Sequence, residues 1–252
     1  PAIGWLQEVL RWCDHWMKGQ NTGIMDEPAL RVWMQESLPP KTCYTERPGR
    51  WVGEEVWPSP RIQSRVLHPV GGTLREAAVP GTAQVCSPLW VGIAAGEIGR
   101  YGGDADWPTD QREDDAGSLV WVTDPLPERL EIMGAPKLRL KVASDKPLAL
   151  VAVRLNDVAP DGASTRVTVG LMNLTHWQGH DRPQALTPGQ FIEVEVELDD
   201  IAHAFPAGHR IALSVSSSYW PIAWPSPETA TLTLDLGATA LSLPVRPPRD
   251  ED

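Results

Sequence analysis

Cysteine is scarce in this chain of 252 residues. There are three, Cys13, Cys43 and Cys86, with no C-x-x-C spacing between them. An odd, sparse set excludes a disulfide framework and favours a reducing, cytoplasmic setting. Basic residues are also short: 22 Lys and Arg stand against 33 Asp and Glu, for a net charge of −11. That balance excludes a nucleic-acid partner, which needs clustered cations for phosphates. It also speaks against an anionic membrane surface. No run approaches the roughly 20 apolar residues of a membrane span. No basic-then-apolar signal opens the chain.

Chemistry-bearing motifs are missing as well. There is no G-x-S-x-G elbow to expose a serine nucleophile. Ser87, Ser118 and Ser164 have no strand–turn–helix context. No H-E-x-x-H and no Cys/His quartet is found, so no metal site and no cofactor are expected. His176 and His180 are four apart, a chelating interval on a helix, but the segment reads as a strand end and loop. His203 and His209 flank a turn and read as hydrogen-bonding loop residues. The run from Asp110 to Asp115 is acidic enough to raise a cation site. Arg112 inside it is expected to satisfy those acids instead. No Gly-rich phosphate cradle occurs.

What is abundant is tryptophan and proline, 12 and 25 residues, against two Phe and three Tyr. Tryptophan on this scale reads as core and interface filler, with a sugar-binding platform as the alternative. The segment from Trp5 to Gly19 carries a helical stripe. Trp5, Val9, Trp12 and Trp16 share one face, and Gly19 suits a left-handed cap. Such an apolar helix needs a neighbouring domain to pack on. Residues 36–117 read as loop-rich. From Ser118 onward the pattern is β. Phe191 to Asp199 alternates strictly, with the acids Glu193, Glu195 and Glu197 on the wet face. Lys137–Val142, Arg166–Leu174, His209–Val215 and Thr231–Leu236 alternate likewise. Leu148–Leu155 is almost wholly apolar and so is expected at a sheet centre. Turns at 159–162, 187–189 and 206–208 separate these strands. The fold class is therefore all-β, a jelly-roll β-sandwich preceded by one helix.

Several segments resemble the cocaine-esterase/NonD hydrolases and X-Pro dipeptidyl peptidases. They are LRWCDHWMKG (10–19), NTGIMDEP (21–28), LRVWM (30–34), ERPGRW (46–51) and WPSP (57–60). Further along come DQREDD (110–115), DVAPDG (157–162), GLMNLTH (170–176), AGHRI (207–211), SSSYWP (216–221) and WPSP (224–227). One departure is Trp177, where the family pattern has an arginine. The resemblance implies the non-catalytic C-terminal half of a serine hydrolase acting on peptides or esters, galactose-binding-like in fold. The catalytic Ser, Asp and His would lie in an α/β-hydrolase domain of the same parent, so no catalytic residue is assigned here. It implies a helix at 1–24 left over from that domain, a jelly roll at 25–248 and an acidic tail at 249–252. It further implies that Tyr101 and Trp107 either wall the substrate pocket of the catalytic domain, which alone would meet the small peptide or ester, or only pad the interface between the two domains. Three alternatives stand beside this reading: a carbohydrate-binding module, an enzyme complete in this chain, and a fragment with no function apart from its partner. A homodimer is the other way to cover the helix.

Overall fold

The computed structural model describes residues 3–97 and 106–249. Tyr101 and the end of the acidic tail lie outside them. The chain opens with α1 (Trp5–Lys18), and a single turn, α2 (Arg112–Asp115), is the other α-helix described. Among the described residues there are fifteen strands. The first five are β1 (Leu30–Glu36), β2 (Gly49–Glu54), β3 (Gln63–Val70), β4 (Thr73–Arg75) and β5 (Thr82–Val85). Then come β6 (Leu119–Val122), β7 (Leu130–Gly134), β8 (Lys137–Ser144), β9 (Leu150–Val158) and β10 (Ser164–Asn173). The last are β11 (Ile192–Glu197), β12 (Ile201–Phe205), β13 (Arg210–Ser216), β14 (Leu232–Asp235) and β15 (Ala240–Val245).

One layer of the sandwich runs β10-β9-β13-β6-β4 and reaches β3. In the other, β8 pairs with β11 along one edge and with β14 and β15 along the other. β14 pairs onward to β5 and β15 to β3, so β3 ties the layers together. The order β7-β12-β1-β2 extends from the end of β15. Nearly all pairings are antiparallel; β1 with β12 and β4 with β6 are parallel.

The core follows from alternation. Leu138, Leu140 and Val142 of β8 meet Val151, Val153 and Leu155 of β9 and Ile211, Leu213 and Val215 of β13 in one buried cluster. β9 is buried along eight of its nine residues, as its apolar run predicts. β11 alternates between exposed acids and buried Val194 and Val196. Its turn-forming neighbours behave as the sequence implies: Gly162, Gly189 and Gly208 all take φ between 79° and 87°, which a side chain resists.

Residues 36–117 are loop-rich as expected, with β2 to β5 and the helical turn α2 as short elements among the loops. Two expectations need correction. His203 lies within β12, buried, and not in a loop. The core half of the tryptophan expectation fails: only Trp121 is fully in the core, while Trp5, Trp12, Trp16, Trp51, Trp57, Trp90, Trp220 and Trp224 are exposed. A two-layer sandwich has little room for indoles between its sheets, and aliphatic side chains fill that space instead.

Candidate docking surface

The helix α1 forms as its spacing demands and ends where expected. Gly19 is left-handed at φ 67°, and the Gly19 and Gln20 N–H groups both reach the Asp14 carbonyl. None of its residues is buried. Trp5, Trp12 and Trp16 are 66%, 52% and 57% exposed, and Val9, Leu6, Leu10 and Met17 are exposed beside them. The helix is held at its base by polar contacts. Arg11 pairs with Glu8 and Glu27, and Thr22 Oγ1 donates to the Arg11 carbonyl at 3.1 Å.

A contiguous route of contacts leads from this helix to Trp107. Glu27, held by Arg11, also pairs with Arg31 at 3.5 Å. The Arg31 guanidinium lies 5.8 Å from the Trp51 ring, which meets Trp33 edge-on at 5.5 Å. Trp33 Nε1 donates to the Arg47 carbonyl at 3.2 Å. The Arg47 guanidinium then lies 4.9 Å from the Trp107 ring and 5.2 Å from the Tyr44 ring. Trp107 is half-buried, and its backbone N–H donates to the Thr42 carbonyl at 3.0 Å. The interface helix and Trp107, two separate expectations, thus belong to one band of surface.

The band continues. Thr109 N–H donates to the Ala94 carbonyl, and Trp220 N–H to the Val91 carbonyl, both at 3.0 Å. This brings the exposed side chains of Leu89, Trp90 and Ile93 beside Trp220 and Trp224, the last 81% exposed. Gly92 permits the approach: at φ 118°, an added Cβ would sit 2.1 Å from the Trp220 carbonyl oxygen. No recorded tryptophan pair is coplanar. Trp12 and Trp16 are tilted by 47°, Trp33 and Trp51 by 75°, Trp220 and Trp224 by 82°. A flat sugar platform is not what they form.

Two charged networks fix this surface from beneath. Arg154 of β9 has no exposed surface. It reaches Asp115 at 3.0 Å, Asp114 at 3.6 Å and Ser118 Oγ at 2.8 Å. Asp114 Oδ1 in turn accepts the N–H of Gly92 at 2.8 Å. Burial pushes the Asp115 carboxyl up, against the pull of Arg154 and Ser214. The second network anchors the β1–β2 hairpin. Arg50 grips Glu131 with both nitrogens at 2.8 and 2.9 Å, and Arg129 links Glu131 to Glu36. Buried Arg246 lies 2.9 Å from Glu54, which also takes Arg61 and Ser59. Burial alone raises the Glu54 and Glu131 carboxyls, but these partners outweigh it and hold both below the usual range.

The remaining candidates sort as follows. Arg112 pairs with Asp110, and Asp114 and Asp115 face Arg154, so the acidic run is satisfied by arginine. His176 and His180 do meet, with Nδ1 atoms 2.9 Å apart on a 3-10 turn and the loop after it. No group of three metal-ligating side chains occurs among the described residues. Ser87 Oγ donates to the Gly117 carbonyl and Ser118 Oγ to the Asp114 carbonyl, both at 2.8 Å. These hydroxyls are engaged with backbone rather than with a histidine base. His203 and His209 both reach buried Asp157, at 3.0 and 2.7 Å. Arg47, Arg154 and Asp157 were not singled out from the sequence. The one signal available was a lone arginine within the apolar run 148–155, which requires buried acids to receive it.

The X-Pro dipeptidyl-peptidase C-terminal non-catalytic domain matches residues 22–248. A Rhodopirellula baltica protein named as an Xaa-Pro dipeptidyl-peptidase is 27% identical over 245 residues, covering 93% of this chain and 36% of its own. A cocaine esterase from Rhodococcus is 24% identical over 224 residues, covering 82% of this chain and 37% of its own. A CocE/NonD family hydrolase from Staphylococcus aureus, at 16% identity, superposes with a TM-score of 0.71 over 97% of this chain and 46% of its own. The chain spans 36–39% of the length of the first curated relatives it matches. No described helix is long and apolar enough to cross a membrane.

Proposed function

Because the chain belongs to the X-Pro dipeptidyl-peptidase C-terminal non-catalytic domain family, we propose that it docks on the catalytic α/β-hydrolase domain of a common parent, stabilises it and walls its substrate pocket. The parent reaction on this reading is serine-dependent acyl hydrolysis of peptides or esters, with the nucleophile and its base outside this chain. The observation that carries the reading is the apolar band from α1 to Trp224, whose Trp5, Trp12, Trp16, Trp51, Trp90, Trp220 and Trp224 are all exposed. Its relatives possess further chain to cover it, since more than half of their length lies beyond the match. Within the band, residues 1–24 supply the docking helix. Trp107 supplies the apolar wall there, and Tyr101, outside the described residues, joins it on the family resemblance alone. Residues 25–248 form the supporting jelly roll. The three free cysteines, two of them exposed, suit a reducing cytoplasm as the proposed setting.

The test is a paired assay. Hydrolysis of p-nitrophenyl acetate and Gly-Pro-p-nitroanilide is measured for this chain alone and for the parent containing it. Activity confined to the parent, and reduced there by Trp107→Ala, supports the reading. Activity of this chain alone, abolished by a serine-directed inhibitor, would sink it.

A further inference from the structure

Among the arginines of the docking band, Arg47 stands apart. Arg11 and Arg31 share Glu27. Arg47 has aromatic neighbours but no carboxylate partner among the described residues. Its Nε is buried and without a hydrogen-bond partner. Burial draws its pKa down, and among the described residues the Tyr44 phenol is the only ionisable group offsetting this. Elsewhere in the molecule, the deeply buried arginines Arg154 and Arg246 lie against acids.

The surroundings of Arg47 are built rather than incidental. Its carbonyl is tied to Trp33 Nε1. Tyr44 is locked by its hydroxyl, which donates to the Pro39 carbonyl at 2.9 Å and accepts from the Lys41 N–H at 3.0 Å. Trp107 is tied to Thr42. The two rings stand at 69° to each other, 6.3 Å apart, with the guanidinium against both. Aromatic faces recover only part of what desolvating a guanidinium costs. The difference is what a planar, two-oxygen acceptor would supply, because a guanidinium and a carboxylate match edge to edge.

We propose that Arg47, clamped by Tyr44 and Trp107, is a carboxylate-binding site. The carboxylate comes either from an acidic side chain of the docked catalytic domain or from the substrate. Only that choice of source rests on the docking reading; the site itself does not.

The first experiment therefore uses this chain alone. The Arg47 Nε–H resonance and the Trp107 indole resonance are followed during titration with acetate. Chloride at matched ionic strength and neutral acetamide serve as controls. Saturable shifts with acetate only, lost in Arg47→Met and weakened in Arg47→Lys, are expected. Both variants must keep the wild-type spectrum elsewhere. No saturable shift in the folded wild-type chain overturns the proposal, whatever α1 proves to do. The second experiment places Arg47→Met in the parent. A raised KM confined to carboxylate-bearing substrates assigns the site to substrate. A lowered thermal midpoint with KM unchanged assigns it to the domain contact. No change in either overturns a role for the site in the parent.

Discussion

Arg154 is surrounded by the groups that need it, and its removal leaves them stranded. Replacing it with Met keeps the volume but abandons Asp114 and Asp115 beneath the surface. Breaking a buried pair from one side costs about 3–5 kcal/mol. Arg154→Met should lose roughly that in urea unfolding, and amide exchange should quicken at Gly92 and Ala94, whose N–H groups Asp114 receives. Unchanged exchange there would show that Arg154 does not hold the loop. Asp157 offers a pH test. Burial raises its carboxyl, but His203, Ser37 and His209 outweigh burial and hold it below the ordinary carboxylate range. A depressed folded pKa contributes stability above the unfolded value, near about 3.9 for Asp. That contribution is lost as pH falls through the folded value. The stability gap between wild type and Asp157→Asn should therefore be full at neutral pH and shrink below about pH 4. A gap that does not narrow in acid would refute the linkage. The sequence shows Asp157 only inside a turn motif, DVAPDG. Its two histidines arrive from 46 and 52 residues away, a separation no local pattern reports.

Elements were legible in proportion to how far alternation governs them. β8, β9, β11, β13 and β14 each bury one face or both in the aliphatic core, so their residue pattern and their pairing agree. β1 alternates over Leu30–Gln35 and reads as a strand, but β2 was harder. Its sequence, GRWVGE, puts Arg50 at a half-buried and Glu54 at a buried position because both are satisfied by partners far along the chain. Hydropathy scores such residues as loop. The acids of β11 have a different logic. Among the described strands β11 pairs only with β8, leaving its other edge open. Charge on the wet face discourages edge-to-edge pairing. Glu193→Thr with Glu195→Thr and Glu197→Thr should leave unfolding stability within about 1 kcal/mol, while light scattering reveals faster aggregation. A triple variant as soluble as wild type would deny the edge this role. The loop 88–95 carries a sharper constraint. Gly92→Ala places a Cβ against the Trp220 backbone at positive φ. It should destabilise the domain by about 1–3 kcal/mol and disturb the Trp90–Trp220 surface.

At the scale of the whole molecule, a sandwich with a complete core carries a helix that contributes nothing to it. Folding of the sandwich and burial of α1 are thus separate events, and they can be separated by experiment. Removing residues 1–18 takes away exposed tryptophan but no core side chain. The thermal midpoint of the sandwich should be nearly unchanged. In the untruncated isolated chain, the α1 face remains in water, and exposed apolar patches of this kind drive association. Sedimentation should show a concentration-dependent increase in mass. Trp5→Gln, Trp12→Gln and Trp16→Gln together should return the chain to a monomer without lowering its midpoint, since surface substitutions stay within about 0.5 kcal/mol each. In the parent the same triple variant should behave oppositely, lowering the midpoint of the catalytic domain because its contact is gone. Equal indifference in both settings would mean that α1 covers nothing, and the band would then need another occupant. A loss of stability in the isolated chain would mean that the helix supports the sandwich itself, and its exposed face would no longer require a second domain.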